Sequence, residues 1–243
     1  MTTMAEKRLI SGGAYFVLEG PGKSGKTSVL LQIAEILTRR GLPIVTTREP
    51  GGPQEAEDLR QEIFLLKSQG ELDPIRETEM FYEARALSMI WVVSCMREGK
   101  IVLKDRDFIS TEVFQVVSGV GRSKLESMHE ELYRAKNFPN PDMRLIIFPS
   151  YKTIQNRRRG SEGDAFDEQK EEIIKGYYAG YGDLAYDIHT KGRRCHPLLA
   201  GDTVVVNAVG DLNSVVRKTM PHILRKLHEI RVKYPHGRDF EID

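Results

Sequence analysis

Short apolar runs alternate along the chain with longer segments in which apolar residues recur every three or four positions. A continuous apolar run of about five residues is typical of a strand covered on both faces of a parallel sheet. The longer segments have the spacing of amphipathic helices. This alternation of strand and helix predicts an α/β fold with a parallel sheet. The predicted strands are Tyr15–Glu19, Pro43–Thr47, Ile101–Asp105, Met143–Phe148 and Thr203–Asn207.

Three helices are predicted from the same periodicity. The first spans Lys26–Arg40 and meets a natural stop at Gly41. The second spans Ala56–Leu66, and the third, Thr78–Glu98, ends just before Gly99. No internal repeat or linker interrupts this order, so we expect one domain over residues 1–243.

Two polar segments lack any apolar period. Asn156–Asp167 is charged and contains glycine, which predicts a mobile loop. Lys233–Asp243 predicts a loose tail.

Composition limits the class of protein. The 243 residues are 40% apolar and 29% charged, an ordinary globular mixture that excludes a disordered chain and a collagen-like repeat. The longest apolar runs are too short for a signal-peptide core or a membrane span, so we expect a cytoplasmic protein. The 36 basic and 35 acidic residues nearly cancel, so no overall field favours nucleic acid or a membrane. Any bound anion must be held by a local cluster.

A phosphate-binding loop follows the first predicted strand. The residues from Gly20 to Thr27, GPGKSGKT, match the pattern G-x-x-x-x-G-K-[ST], in which backbone N–H groups surround phosphate oxygens. Lys26 would reach the β- and γ-phosphates of ATP, and the Thr27 hydroxyl would bind Mg²⁺. The alternative is a glycine-rich turn with a fortuitous lysine. The predicted ATP-binding residues are Gly20, Pro21, Gly22, Lys23, Ser24, Gly25, Lys26, Thr27 and Ser28.

A magnesium site also needs an acidic group. Asp105 closes the strand Ile101–Asp105, the place of the acidic residue that supports the metal in P-loop proteins. The alternative is an aspartate that only caps the end of a strand. The predicted metal residues are therefore Thr27 and Asp105.

Three further segments, in this order and spacing, resemble the thymidylate kinase family. They are T-T-R-E-P-G-G at residues 46–52, F-x-x-x-R at Phe81–Arg85, and D-R-x-x-x-S-T at Asp105–Thr111. The resemblance implies a P-loop α/β/α sandwich of three layers with a five-stranded parallel sheet and a mobile lid. It implies transfer of the γ-phosphate of ATP to dTMP, with Mg²⁺, to give dTDP. Family members are often homodimers, and the helix Thr78–Glu98 is the candidate interface.

The acceptor site is predicted partly from spacing and partly from this resemblance. Phe81 and Arg85 are four residues apart and share a helix face, where a ring and a guanidinium suit a nucleobase. A core phenylalanine with a surface arginine is the alternative. In the family, these positions stack thymine and bind its O4, whereas Arg48 and Arg106 lie near the acceptor phosphate. The predicted substrate-binding residues are Arg48, Glu49, Pro50, Phe81, Arg85, Arg106, Ser110, Thr111, Phe114 and Gln115.

The lid is expected at about residues 150–167. Arg157, Arg158 and Arg159 fall there and could neutralise charge on the transferring phosphoryl group. The alternative is a solvated basic loop. Together with Lys26 and Arg106, these three arginines form the predicted catalytic set.

Departures from the family pattern leave other functions open. Gly22 stands where the family usually has an acidic residue, and Ala165 where many lids have another arginine. Asp107 replaces an aromatic residue or histidine and places a negative charge near an anionic acceptor. One alternative is a kinase for another deoxynucleotide or for a nucleoside, with Glu19 or Asp107 as base. Another is a nucleotide-binding module without catalysis.

Other chemistry finds little support in the sequence. The six histidines show no paired metal spacing, and Cys195-His196 is not a metal motif by itself. Two cysteines, Cys95 and Cys195, cannot build a disulfide framework. The basic patch Lys191–Arg194 is interpreted as a solvated loop.

Overall fold

The computed structural model describes residues 13–160, 169–191 and 202–234. Five parallel strands form one sheet in the order β2-β3-β1-β4-β5. Their bounds are β1 Ala14–Glu19, β2 Ile44–Arg48, β3 Ile101–Asp105, β4 Met143–Phe148 and β5 Asp202–Asn207. All five predicted strands are confirmed, each within one residue of the predicted bounds.

Eight helices lie within the described ranges. They are α1 Lys26–Arg39, α2 Gln54–Gln69, α3 Pro74–Arg97, α4 Phe108–Val117, α5 Arg122–Lys136, α6 Tyr151–Arg159, α7 Glu171–Lys191 and α8 Leu212–Lys233. In this part of the chain, no helix combines the length and apolarity that crossing a membrane requires.

The helices cover both faces of the sheet, which gives the predicted three layers. Phe16 and Leu18 of β1 face α1 and α8 in one apolar core. Tyr15 and Val17 face the opposite way, toward α3 and α5, because strand side chains alternate between faces. A third apolar cluster lies on that second face, among α2, α3, α4 and α7. The predicted P-loop α/β/α sandwich with a five-stranded parallel sheet is confirmed.

The long helix α3 begins at Pro74 rather than at the predicted Thr78. Asp73 caps this end, since its side chain accepts hydrogen bonds from the backbone N–H groups of Ile75 and Arg76. Pro74 suits the first helical position because its fixed φ is already helical. The apolar period alone missed this first turn because it is polar.

The prediction of a mobile loop over Asn156–Asp167 is wrong for its first part. Residues 156–159 form the end of α6, a helix started by the Ser150 side chain, which accepts a hydrogen bond from the N–H of Thr153. Lys233, predicted to begin the loose tail, is the last residue of α8. Residues 161–168 and 235–243 lie outside the described residues, and so do the positions of the predictions about Ala165 and most of the tail. The same holds for Cys195, His196 and residues 192–194.

Candidate active site

A cavity of about 700 Å³ opens at the carboxyl end of the sheet. This is the edge where open α/β sheets bind ligands. Its wall joins the loop after β1 to the ends of β2 and β3 and to residues of α2, α3, α4 and α7. Most of the predicted site residues meet on this wall.

The loop between β1 and α1 has the tight backbone that phosphate binding needs. Gly20 and Gly25 have φ values of 145° and 89°, and Lys23 has 57°. A Cβ atom at Gly20 would lie 2.4 Å from the carbonyl oxygen of Ile147, so only glycine fits there. Lys26 is the first residue of α1 and only 6% exposed. Seven predicted ATP-binding residues line the cavity, namely Pro21, Gly22, Lys23, Gly25, Lys26, Thr27 and Ser28, whereas Gly20 and Ser24 lie buried behind it.

The two predicted metal residues are in direct contact. The Thr27 hydroxyl donates a hydrogen bond to Oδ2 of Asp105. Among the described residues, Oδ1 of Asp105 is buried and has no hydrogen-bond partner. A hydroxyl and a carboxylate with a spare oxygen are hard donors of the kind that Mg²⁺ prefers. The pair therefore fits the metal that P-loop chemistry implies.

Arg106 links the phosphate-binding loop to the rest of the cavity. Its Nη1 donates to the carbonyl oxygen of Gly20 at 3.1 Å and to Oγ of Ser110 at 2.8 Å. Its guanidinium carbon lies 5.0 Å from the centre of the Phe114 ring. The side chain is therefore held between the two halves of the site.

Glu19, the last residue of β1, is fully buried and organises this junction. Its carboxylate accepts from the N–H of Asp107 at 2.7 Å, from Oγ of Ser110 at 2.6 Å and from the Tyr181 hydroxyl at 2.8 Å. Burial raises the pKa of Glu19, and Arg106 and the Ser110 hydroxyl oppose that rise. A carboxylate that accepts hydrogen bonds from three such donors stabilises the positions of Asp107, Ser110 and Tyr181 relative to β1. This arrangement does not favour Glu19 as the base of a nucleoside kinase.

Aromatic side chains form the part of the wall farther from the loop. Phe81 and Phe114 line the cavity together with Tyr177, whose ring centre lies 4.4 Å from that of Phe114. Arg85 is fully buried, so the alternative of a surface arginine is wrong. Its Nε donates to Oε1 of Glu49 at 2.7 Å and its Nη2 to the Thr111 hydroxyl at 2.6 Å.

The remaining predicted substrate residues separate into two groups. Glu49, Pro50, Ser110 and Thr111 line the cavity. Gln115 is fully buried instead, and its Nε2 donates to Oε1 of Glu77 at 3.1 Å. Its role toward a substrate stays a prediction.

Two arginines stand on the α2 side of the cavity. Arg48 forms a bidentate ion pair with Glu57. Its Nε donates to Oε1 at 3.1 Å and its Nη2 donates to Oε2 at 2.7 Å. Arg60, absent from the sequence prediction, donates to the carbonyl oxygen of Pro50 at 3.2 Å and lies 4.2 Å from the centre of the Phe64 ring. Arg60 and Phe64 are four residues apart on one helix face, the same signal that singled out Phe81 and Arg85. That spacing could have identified Arg60.

The three lid arginines have different surroundings. Nη1 of Arg157 donates to the carbonyl oxygens of Lys23 and Ser24 at 3.1 and 2.7 Å, so this side chain lies on the phosphate-binding loop. Arg158 lines the cavity and pairs with Glu171 at 2.9 Å. Arg159 is exposed. Arg157 and Arg158 are therefore the two that approach the site.

Comparison with known proteins gives a consistent assignment. The family model described as Thymidylate kinase matches residues 18–191. A thymidylate kinase of Pelotomaculum thermopropionicum is 35% identical over 177 residues, which is 71% of this chain and 80% of the relative. Thymidylate kinases of Caldicellulosiruptor saccharolyticus and Ruegeria pomeroyi are each 27% identical, over 88% and 90% of this chain and 98% of each relative. With its phosphate-binding loop and aromatic wall in one cavity, the chain belongs to the thymidylate kinase family.

Proposed function

We propose that this chain transfers the γ-phosphoryl group of ATP to dTMP, giving dTDP and ADP. Membership of the family supports this reaction, and ATP use follows from it. The observation that carries the proposal is that Lys26, Phe81 and Phe114 line one cavity, in which Arg106 contacts both the phosphate-binding loop and the Phe114 ring. Such a cavity accommodates a nucleoside triphosphate and a nucleoside monophosphate with their phosphates facing each other.

The chemistry requires alignment and charge neutralisation. An oxygen of the acceptor phosphate attacks the γ-phosphorus, and the bond from that phosphorus to the oxygen retained by ADP breaks. The attacking oxygen is already anionic near neutral pH, so no general base is needed. Lys26 and Arg106 supply positive charge where negative charge accumulates, and Arg157 or Arg158 adds to it.

Thr27 and Asp105 would hold Mg²⁺ in this reaction. The bound metal would neutralise negative charge on the phosphates. The buried spare oxygen of Asp105 beside the Thr27 hydroxyl supports this assignment.

Replacing Asp105 by asparagine should raise the Mg²⁺ concentration that gives half-maximal turnover by about 10-fold or more, since a neutral amide attracts the cation less. Removing divalent cations with a chelator should abolish turnover in the unchanged protein. A Mg²⁺ titration of turnover measures both effects. Asp183→Asn, at an exposed position of α7, is the matched control and should leave the titration unchanged. An unchanged Mg²⁺ requirement in Asp105→Asn would contradict the assignment.

Tyr181→Phe should shift the acidic limb of the kcat/KM profile to higher pH by about one unit. The Tyr181 hydroxyl stabilises the ionised form of Glu19, so its loss raises the pKa of that carboxyl further. Activity that needs ionised Glu19 is lost as pH falls through this pKa, and a higher pKa moves the loss upward. Tyr186→Phe, at an exposed tyrosine of the same helix, serves as control. Coincident acidic limbs in wild type and Tyr181→Phe would refute the role of Glu19.

Turnover measured with ATP, Mg²⁺ and a panel of acceptors tests the proposed substrate. The panel contains dTMP, dUMP, other monophosphates and thymidine. We expect dTMP to give the highest kcat/KM. Phosphorylation of thymidine but not of dTMP would contradict the proposal, and so would ATP binding without transfer to any acceptor.

The family resemblance also supports a cytoplasmic homodimer as part of this proposal. The helix α3 exposes Ile90, which is 48% accessible, on the side away from the sheet core. Sedimentation of the purified chain tests the homodimer, with twice the chain mass of 27.6 kDa as the expected result.

A further inference from the structure

A cluster of five buried charged side chains adjoins the cavity, and its two acidic members also line the cavity wall. Each is 4% exposed or less. The cluster contains two acidic residues and three basic ones, so its formal charge is positive. The members, called the buried charge cluster below, are Glu49, Asp107, Arg85, Lys104 and Arg144.

Two of the basic residues project from the central strands of the sheet. Val17 of β1 is paired with Lys104 of β3 on one side and with Arg144 of β4 on the other. Paired residues point to the same face of a sheet, so Lys104 and Arg144 flank Val17. Their neighbours on that face, such as Tyr15 and Val102, are apolar core residues. A buried charge in such a place is costly unless it is paired.

The acidic residues supply the pairing. Nζ of Lys104 donates to Oε2 of Glu49 at 2.5 Å, while Oε1 of Glu49 accepts from Nε of Arg85 at 2.7 Å. Nη2 of Arg144 lies 3.5 Å from Oδ2 of Asp107. Oδ1 of Asp107 lies 3.8 Å from Nε of Arg85. Arg85 is thus placed between two carboxylates, each of which also contacts a basic residue of the sheet.

The other members shift the pKa values of Asp107 and Arg85 toward the charged form. Burial alone would raise the pKa of Asp107, but Lys104, Arg144 and Arg85 outweigh it and lower that pKa. Burial alone would lower the pKa of Arg85, but Glu49 and Asp107, with Tyr82, raise it. The positive charges of Lys104, Arg144 and Arg85 therefore compensate the negative charge of Asp107. An anionic acceptor would not meet this negative charge by itself.

The nitrogen donors of Arg85 differ in whether they have a hydrogen-bond partner. Nε and Nη2 are engaged by Glu49 and Thr111. Among the described residues, Nη1 has no hydrogen-bond partner. Phe81, one helical turn earlier on the same face, lines the cavity. Thr111, which accepts the hydrogen bond from Nη2, also lines the cavity, so the spare donor belongs to a side chain in direct contact with the cavity wall.

We propose that Lys104 and Arg144 are positioning residues for the acceptor: they compensate Glu49 and Asp107, and so fix Arg85 with Nη1 free to donate to the nucleobase. This inference rests on the proposed function. It assigns a role to two residues that touch neither ATP nor acceptor. It also explains how this chain accommodates an acidic residue at position 107.

Removal of either basic residue tests the proposal. In Arg144→Met and in Lys104→Met, one carboxylate loses its basic partner. Glu49 and Asp107 then attract the Arg85 guanidinium unequally, which should displace it. The dissociation constant for dTMP should rise by about 10-fold, the loss of one well-placed hydrogen bond to a charged group. The KM for ATP should stay within about twofold, because Lys104 and Arg144 pair with Glu49 and Asp107 and are not part of the phosphate-binding loop. Arg134→Met and Lys100→Met, at accessible positions, are the matched controls.

A compensating change separates positioning from general stability. Adding Asp107→Asn to either variant removes one acidic charge and returns the net charge of the cluster to its original value. The double variants Arg144→Met/Asp107→Asn and Lys104→Met/Asp107→Asn should then bind dTMP within about threefold of wild type. A role in stability alone would change the unfolding temperature without this pattern in dTMP affinity.

Calorimetric binding of dTMP and steady-state kinetics are measured on all variants below their unfolding temperatures. Weakened dTMP binding with unchanged ATP KM, and recovery in the double variants, supports the proposal. Unchanged dTMP affinity, equal loss for both substrates, or no recovery overturns it. If a single variant does not fold, its double variant decides by the same criterion. Wild-type protein that binds dTMP without turning it over refutes the proposed function alone, since binding still tests the cluster.

Discussion

Replacing Lys26 by alanine should lower kcat for transfer to dTMP by about 10³-fold. Lys26 is held at the start of α1 with its side chain on the cavity wall and only 6% exposed. In so dry a site, one fixed positive charge aimed at developing phosphate charge contributes several kcal/mol, about 10²–10³-fold in rate per group removed. The contribution is greatest in the transition state, so the loss should fall mainly on kcat.

The measurement is steady-state kinetics together with thermal unfolding. Lys26 lines the cavity and is not a member of the three apolar clusters, so the unfolding temperature should change little. Lys124→Ala, at an exposed position in the first turn of α5, is the matched control and should retain full turnover. Near-normal turnover of Lys26→Ala would contradict the mechanism.

Replacing Arg106 by alanine should lower kcat by about 10³-fold as well. Arg106 contacts Gly20 of the phosphate-binding loop and lies against the Phe114 ring, and we propose that its guanidinium neutralises charge on the transferring phosphoryl group. Arginines that stabilise charge in phosphoryl transfer contribute about 10³–10⁵-fold. The KM for dTMP should rise too, because the acceptor phosphate loses a partner. Arg225→Ala, on the exposed face of α8, is the control for kinetics.

The backbone of Arg106 allows its two roles to be separated. Its φ of 72° lies in the left-handed region, which costs a non-glycine residue about 1 kcal/mol. Arg106→Gly should therefore unfold at a higher temperature than Arg106→Ala, while both lose turnover equally. Recovery of turnover in the glycine variant would show that conformation, rather than the guanidinium, is what the reaction needs.

Local sequence patterns predicted much of the fold. The strands β1, β3 and β4 are short, mostly apolar segments, and few other structures bury such segments on both faces. Polar helix starts were harder, because Asp73 and Ser150 act through single capping hydrogen bonds that no apolar period contains. For this reason the sequence predicts a loop where residues 156–159 form the end of the short helix α6.

The predicted site was most complete where its residues are close in sequence. The loop from Gly20 to Thr27 and the strand end at Asp105 carry their own signals. The buried charge cluster does not, because it depends on the strand order β2-β3-β1-β4-β5, which places Lys104 and Arg144 on either side of Val17. The contact between Tyr181 and Glu19 joins residues 162 positions apart. Charged side chains that become neighbours only in the folded protein cannot be paired from the sequence.

The most direct test of the proposed function is a single-turnover experiment. Purified protein in excess over γ-³²P-labelled ATP is mixed with dTMP and Mg²⁺, and the products are separated by chromatography. We predict that the label moves from ATP to dTDP, and that Lys26→Ala prepared in the same way transfers almost none. Label that stays on ATP or appears as inorganic phosphate, or equal transfer by Lys26→Ala, would contradict the assignment of this cavity to dTMP phosphorylation.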